Sequence, residues 1–361
     1  MRNSHTLKSR VYLLASLLFF SLARADEPKL VIVDNDFNGP PSSLTNLRAA
    51  LIFLESPEVK VLGFTVVTGD GWRDEEVYHT LRLLEIAGHK DIPVVPGAVV
   101  PLVNTQEETE AWEKRFGSLG YKGAWDTKET RGDPLYVPHR PETIPALPEG
   151  MPEIKPARDR AAIFMIEQVH AHPHEVSIFA GGPLTNLALA VRLDPDFPSL
   201  AKELVFEGAF LNLGYADFNV RFDPEAAHIV LTAPWPTITL VADVTGDVKF
   251  SSEDIDKIRA AKTPIANYVL EYSKIDIAKN WPLWDELAAA VLIDPMVVTK
   301  SEDVCVCVDI DHGKDYGRVH VCNDENVPST DKSKVRVVQA IDLNRFKERF
   351  VKCMSAHPAS P

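Results

Sequence analysis

Cysteine is scarce and basic charge is in deficit, and each shortage closes off a class of function. Four cysteines in 361 residues, Cys305, Cys307, Cys322 and Cys353, are too few and too late in the chain for a disulfide scaffold. The Cys305-x-Cys307 spacing also lacks the pairing of a structural zinc site. Lysine and arginine number 38 against 52 acidic residues, a formal net charge of −14. That balance gives no basis for binding nucleic acid or an anionic membrane surface. Beyond the N-terminus no apolar run approaches the ~20 residues of a membrane span. No Gly-x-Gly-x-x-Gly follows the first apolar strand, which disfavours a dinucleotide-binding dehydrogenase.

What is present begins with an address. Arg2, Lys8 and Arg10 precede a mostly apolar run over 11–23, and Ala23-Arg24-Ala25 supplies a small–x–small cleavage pattern. The expectation is a signal peptide over 1–25 and a secreted or periplasmic mature chain, free of the membrane after cleavage, forming one domain over 26–361. In that oxidising setting one disulfide, Cys322 with Cys305 or with Cys307 across paired strands, stands beside the alternative of buried free thiols.

Short β-rich runs alternate with helical periodicity. Strands are predicted over 30–33, 59–67, 92–96, 176–180, 204–206 and 237–242. Helices are predicted over 44–54, 74–87, 161–170, 184–191 and 224–231. This rhythm argues for an α/β fold with a doubly wound, mostly parallel sheet. The segments 304–309, 317–322 and 334–340 read as a C-terminal antiparallel meander, closed by a helix over 343–355. The stretch 104–156 breaks the rhythm. It is rich in Pro, Gly and charge, and its aromatics Trp112, Phe116, Tyr121, Trp125 and Tyr136 favour a lid-like insertion over disorder.

Ligands of open parallel sheets bind outside the carboxyl ends of the strands. Here those ends read Asp34-Asn35-Asp36, Thr68-Gly69-Asp70, Gly181-Gly182-Pro183-Leu184-Thr185-Asn186, Glu207-Gly208 and Asp243, with Asn212 and Asp217-Phe218-Asn219 close behind the fourth. One such turn is ordinary. Five on one rim describe an oxygen-rich pocket suited to a hard cation, calcium more than magnesium. His79, His89, His139 and the cluster His170, His172 and His174 carry no metal-site spacing and read as structural.

These residues resemble the inosine–uridine-preferring nucleoside hydrolase family. The resemblance runs from about residue 28 to 345. It is carried by the Asp-x-Asp strand end, by Gly182-Pro183-Leu184-Thr185-Asn186 and by Asp217-Phe218-Asn219-Val220-Arg221-Phe222-Asp223-Pro224-Glu225-Ala226-Ala227, with Trp284-Asp285 later in the chain. It implies a calcium-dependent hydrolase acting on a small-molecule nucleoside. Asp36 would be general base and calcium ligand, and Asn46, the carbonyl of Thr185 and Asp285 would be further ligands. Asp34, grouped with the substrate-binding residues, would sit just behind and order the site, and Thr45, Asp70, Asn212, Asp217 and Asn219 would lie at the sugar. The family's adjacent Asp pair is absent, and Thr45 and Asn46 fall at its place after a short insertion. Trp284 stands where many members have His, as in the purine-specific branch, and would stack on the leaving base, with Trp112 or Trp125 as a second partner. The competing reading is a family member that binds a nucleoside or sugar without cleaving it. A homo-oligomer stays open.

Overall fold

The computed structural model describes residues 27–131, 136–158, 160–322 and 328–359. The expected signal peptide lies outside them. Nine strands form one sheet: β1 (Lys29–Asn35), β2 (Val59–Val66), β3 (Val94–Pro96), β4 (Val176–Ala180), β5 (Glu203–Phe206), β6 (Ile238–Leu240), β7 (Val298–Val308), β8 (Val319–Val321) and β9 (Ser333–Ile341). Their spatial order is β3-β2-β1-β4-β5-β6-β9-β7-β8. The first six pair in parallel and β9 joins β6 in parallel, while β7 runs antiparallel to both β9 and β8. The doubly wound sheet and its antiparallel end are as expected, although β7 begins earlier than the meander predicts.

The buried strands are apolar on both faces, because helices cover both. In β1, Val31 and Val33 join one core and Ile32 the other, following the two-residue alternation of a strand. The first core lies under the helices Thr45–Leu54, Arg73–Ala87, Trp284–Ile293 and Leu343–Met354. The second lies under Ala161–Ala171, Thr185–Leu193 and Pro224–Leu231. The closing helix shows its logic in its spacing, with Phe346, Phe350 and Met354 buried along one face and Asp342 capping its first turn through the Arg345 N–H.

Of the two disulfide pairings left open, the structure contains Cys307–Cys322, with Cys305 and the buried Cys353 free. The insertion is more regular than its composition predicts. It holds a helix at Gln106–Phe116, capped by Thr105, and short turns at Gly123–Trp125 and Lys128–Arg131. Among the described residues no helix is long and apolar enough to cross a membrane.

Candidate active site

The carboxyl ends of β1, β2, β4 and β5 open on a cavity of about 580 Å³, a size suited to a small organic ligand. Register explains why the acids meet there. β1 pairs Asp34 with Thr65 of β2 and with Ala180 of β4, so all three chains leave the sheet at the same level.

Asp36 is the first residue past β1, buried on the cavity floor. Its Oδ1 accepts from the Asn46 side-chain amide at 2.9 Å and its Oδ2 from the Asp70 peptide N–H at 2.8 Å. Burial holds its pKa well above the ordinary carboxylate range, and the neighbouring charges of Asp70 and Asp285 add to the effect. Asp285 opens the helix Trp284–Ile293 and accepts from Asn35 Nδ2 at 3.1 Å. Its pKa is likewise raised by burial, then by Glu286 and Asp70. Gly181, one residue past β4, must be glycine. A Cβ there would stand 2.3 Å from Asp285 Oδ1.

The structure brings most of the expected residues together. Asp36, Thr45, Asn46, Asp70, Asp217, Asn219, Trp284 and Asp285 all line the cavity. Three do not. Asp34 is fully buried behind the floor, accepting from Thr65 Oγ1 at 2.6 Å and Asn186 Nδ2 at 2.8 Å, and burial pushes its pKa up to about 7. It supports the strand ends and reaches no substrate. Thr185 begins a helix one turn beyond the rim and donates its hydroxyl to Asp223 at 2.6 Å, so the carbonyl placed at the ion by the resemblance is set apart from the cavity that Gly181 lines. Asn212 is exposed on the loop after β5, where its N–H donates to Asp243, and it does not line the cavity.

Two expected roles change in kind. Asp217 faces the cavity but spends its carboxylate on backbone, capping Val220 at 3.2 Å and accepting from the Phe210 N–H at 3.1 Å. Burial pushes its pKa up to about 6. Asn219 donates to the carbonyls of Gly181 and Glu207 and to Glu207 Oε2, tying β4 to β5. The insertion's tryptophans are also spent elsewhere. Trp125 stacks on Phe222 with ring centroids 4.2 Å apart, and Trp112 donates to the Gly313 carbonyl.

Other lining residues had no individual role assigned from the sequence. Glu207, at the end of β5, is buried and raised well above its ordinary pKa by burial and then by Asp285. Its strand-end position was the available signal. Tyr121 and Arg131 enter from the insertion, and Phe210, Leu213, Tyr215 and Trp281 add apolar surface to the lining beside that of Trp284.

Residues 31–348 match the family described as "Inosine-uridine preferring nucleoside hydrolase". The chain belongs to this family. It is accordingly an N-glycosyl hydrolase with a nucleoside as substrate. A probable uridine nucleosidase 2 of Arabidopsis thaliana is 30% identical over 75% of this hydrolase and 76% of its own length. The pyrimidine-specific ribonucleoside hydrolase RihA of Citrobacter koseri is 30% identical over 70% of this chain and 77% of its own. A solved purine-preferring ribonucleoside hydrolase from Gardnerella vaginalis superposes with a TM-score of 0.69, covering 91% of this chain and 98% of that one. At 21% identity this likeness concerns the fold.

Proposed function

We propose that this hydrolase is an exported, calcium-dependent enzyme that cleaves purine ribonucleosides to ribose and free base. The observation that carries the reading is the cavity's division of labour, with buried carboxylates on its floor and an indole on its wall. Among the described residues, neither Asp36 nor Asp285 forms an ion pair with Lys or Arg. Two buried like charges without a counterion are unfavourable, and a cation relieves them.

The donor set suits a hard ion. The described residues contain no trio of His, Cys, Asp or Glu that converges on one point, so the carboxylates would need amide and carbonyl oxygens beside them. Asn46 Oδ1 is buried with no hydrogen-bond partner, and Gly181, whose carbonyl accepts from the cavity-lining Asn219, lines the same cavity. Asp36 and Asp285, with Asn46 and Gly181 in place of Thr185, would hold calcium. When bound, calcium lowers the pKa of a coordinated water and neutralises the floor.

Asp36 takes a proton from the attacking water, whose oxygen bonds to the anomeric carbon as the C–N bond breaks. The electron pair of that bond leaves on the base, which gains a proton on its ring from solvent. Positive charge that develops on the ribosyl group is stabilised by Glu207 and Asp70, both at the rim. Trp284 is half-buried with its ring at the cavity, and an indole offers a purine more stacking surface than a pyrimidine.

One observation favours binding without cleavage. Both oxygens of Asp36 already accept hydrogen bonds, which oppose the rise that burial gives its pKa and compete with a water for its lone pairs. A reducing-sugar assay on the purified protein decides. Inosine, guanosine and adenosine should release ribose, and chelation of calcium should stop it. Uridine and cytidine should show kcat/KM at least about tenfold lower. Binding with no sugar release makes the protein a nucleoside binder, and a preference for uridine removes the purine assignment.

A further inference from the structure

We infer that Tyr121 and Arg131, carried by the segment between β3 and β4, are positioning residues of the active site, holding Asp70 so that its peptide N–H orients Asp36. The inference rests on the proposal that Asp36 is the base.

The 104–156 part of the segment meets Gly69 and Asp70 through three hydrogen bonds. The Ala124 N–H donates to the Gly69 carbonyl at 2.8 Å, Arg131 Nη1 donates to the Asp70 carbonyl at 2.7 Å, and the Tyr121 hydroxyl donates to Asp70 Oδ1 at 2.7 Å. Asp70 is therefore gripped at its carbonyl and its side chain. Its remaining polar group, the N–H, reaches Asp36 Oδ2 at 2.8 Å. The approach leaves no slack. Gly123 sits at φ +58°, and a Cβ there would lie 2.1 Å from the Gly69 carbonyl oxygen.

Arg131 is itself over-determined. It is buried between the rings of Tyr121 and Tyr136, with centroids 5.0 and 4.7 Å from its guanidinium carbon. A second nitrogen donates to Ser42 Oγ at 3.3 Å, and Asp126 stands 3.8 Å away. A planar fork serves these partners together, whereas an ammonium serves one point. Among the described residues Arg131 is the one Lys or Arg lining the cavity, and its donors are spent on Asp70 and Ser42, which makes it a brace. Two hydrogen bonds in series thus run from the insertion to the base. Small misplacement of a catalytic group costs rate steeply.

Tyr121→Phe removes one oxygen and leaves the ring packing. In the full chain it should lower kcat on inosine roughly 10- to 100-fold with KM within about twofold of wild type. The Asp70 amide should exchange hydrogen at least about tenfold faster, as expected when its partner is no longer held. Added to Asp70→Ala, the substitution should have little further effect, because both act through one bond. Arg131→Lys should move kcat and exchange the same way, and if that variant fails to fold, Tyr121→Phe decides. Unchanged kcat with unchanged exchange overturns the inference. So does a raised KM at constant kcat, which would make Tyr121 a substrate contact. If wild type releases no sugar from any nucleoside, the proposed activity fails separately, and amide exchange still decides whether the insertion holds Asp70.

Discussion

Asp285 and Glu286 are adjacent, both buried, and both held above their ordinary pKa first by burial, yet they belong to opposite kinds of site. Asp285 turns to the cavity, where its partner is the neutral amide of Asn35 and its charged neighbours are other carboxylates. Glu286 turns the other way. It accepts from Arg48 Nε at 2.5 Å and from Thr45 Oγ1 at 2.8 Å, and Arg48 also binds Asp276 and Ser273. The back cluster carries its own cation, with Arg48 fully buried in it. In the front cluster, Asp36 and Asp285 form no ion pair with Lys or Arg among the described residues, and the cavity's one cationic side chain, Arg131, is held at Asp70 and Asp126. A buried acid with an internal counterion is part of the framework, whereas one without it is poised for something that arrives from outside.

Substitution on the two sides should separate the roles. Asp36→Ala should lower turnover roughly 10²- to 10⁴-fold, the range for losing a general base. It should leave stability equal or slightly higher, because it removes one of several repelling carboxylates. Arg48→Ala should do the reverse, costing about 3–5 kcal/mol by leaving Glu286 and Asp276 buried without their partner. Urea melts of both variants beside ribose release give the answer. If Asp36→Ala costs as much stability as Arg48→Ala, the front cluster is framework too and the contrast fails.

A third buried cluster extends the compensated class and adds a pH signature. His79 lies fully buried, with Nδ1 2.5 Å from Glu149 Oε1 and Nε2 3.8 Å from Glu75, which also holds His139 at 2.9 Å. Burial opposes protonation, but the two carboxylates together outweigh it and raise the pKa to about 9. A folded pKa above the unfolded value near 6.5 gives stability that is full below that value and is lost as pH rises through about 9. Glu75 is pushed down to about 2 despite burial, by His139 and His79, so its share is present above about 4.5 and fades in strong acid. This cluster's contribution to stability should therefore be largest between roughly pH 4.5 and 6.5 and decline toward pH 9 by roughly 3 kcal/mol at most. His79→Gln, melted across that range, should flatten the alkaline decline. An unaltered decline would show that His79 is neutral in the folded protein.

The strand ends were legible because a parallel sheet dictates where its ligands gather, and Asp36, Asp70 and Asp285 followed from that rule and the family motif together. Thr185 and Asn212 were misplaced for a local reason. A motif gives the order of residues but not which peptide of the turn faces the cavity, and the helix that starts at Thr185 carries it past the rim. Arg48 could not be anticipated, since a buried arginine is explained only by Asp276 and Glu286, more than 220 residues away. The insertion showed its aromatic content in the sequence but not its use. The bulky Trp112 and Trp125 suggested stacking on substrate, but they pack against Arg221 and Phe222, while Tyr121 faces the cavity.

The smallest predicted effect probes the boundary between the two clusters, at Asn46. Its Nδ2 donates to Asp36 Oδ1 at 2.9 Å and to Asn35 Oδ1 at 3.3 Å, so in the absence of an ion the amide relieves the floor. Asn46→Asp replaces that donor with a third carboxylate. Without calcium, the variant should melt below wild type, because a hydrogen bond worth about 1 kcal/mol becomes a repulsion. With calcium the sign reverses, since added ligand charge strengthens a hard-cation site. Affinity measured by calorimetry should rise about tenfold, equivalent to about 1.4 kcal/mol. Saturating calcium should then raise the melting temperature of the variant by more than that of wild type. The two signs must appear together. A lower melting temperature with unchanged calcium affinity would place Asn46 with Glu286 in the framework, and the cation would have to be held without it.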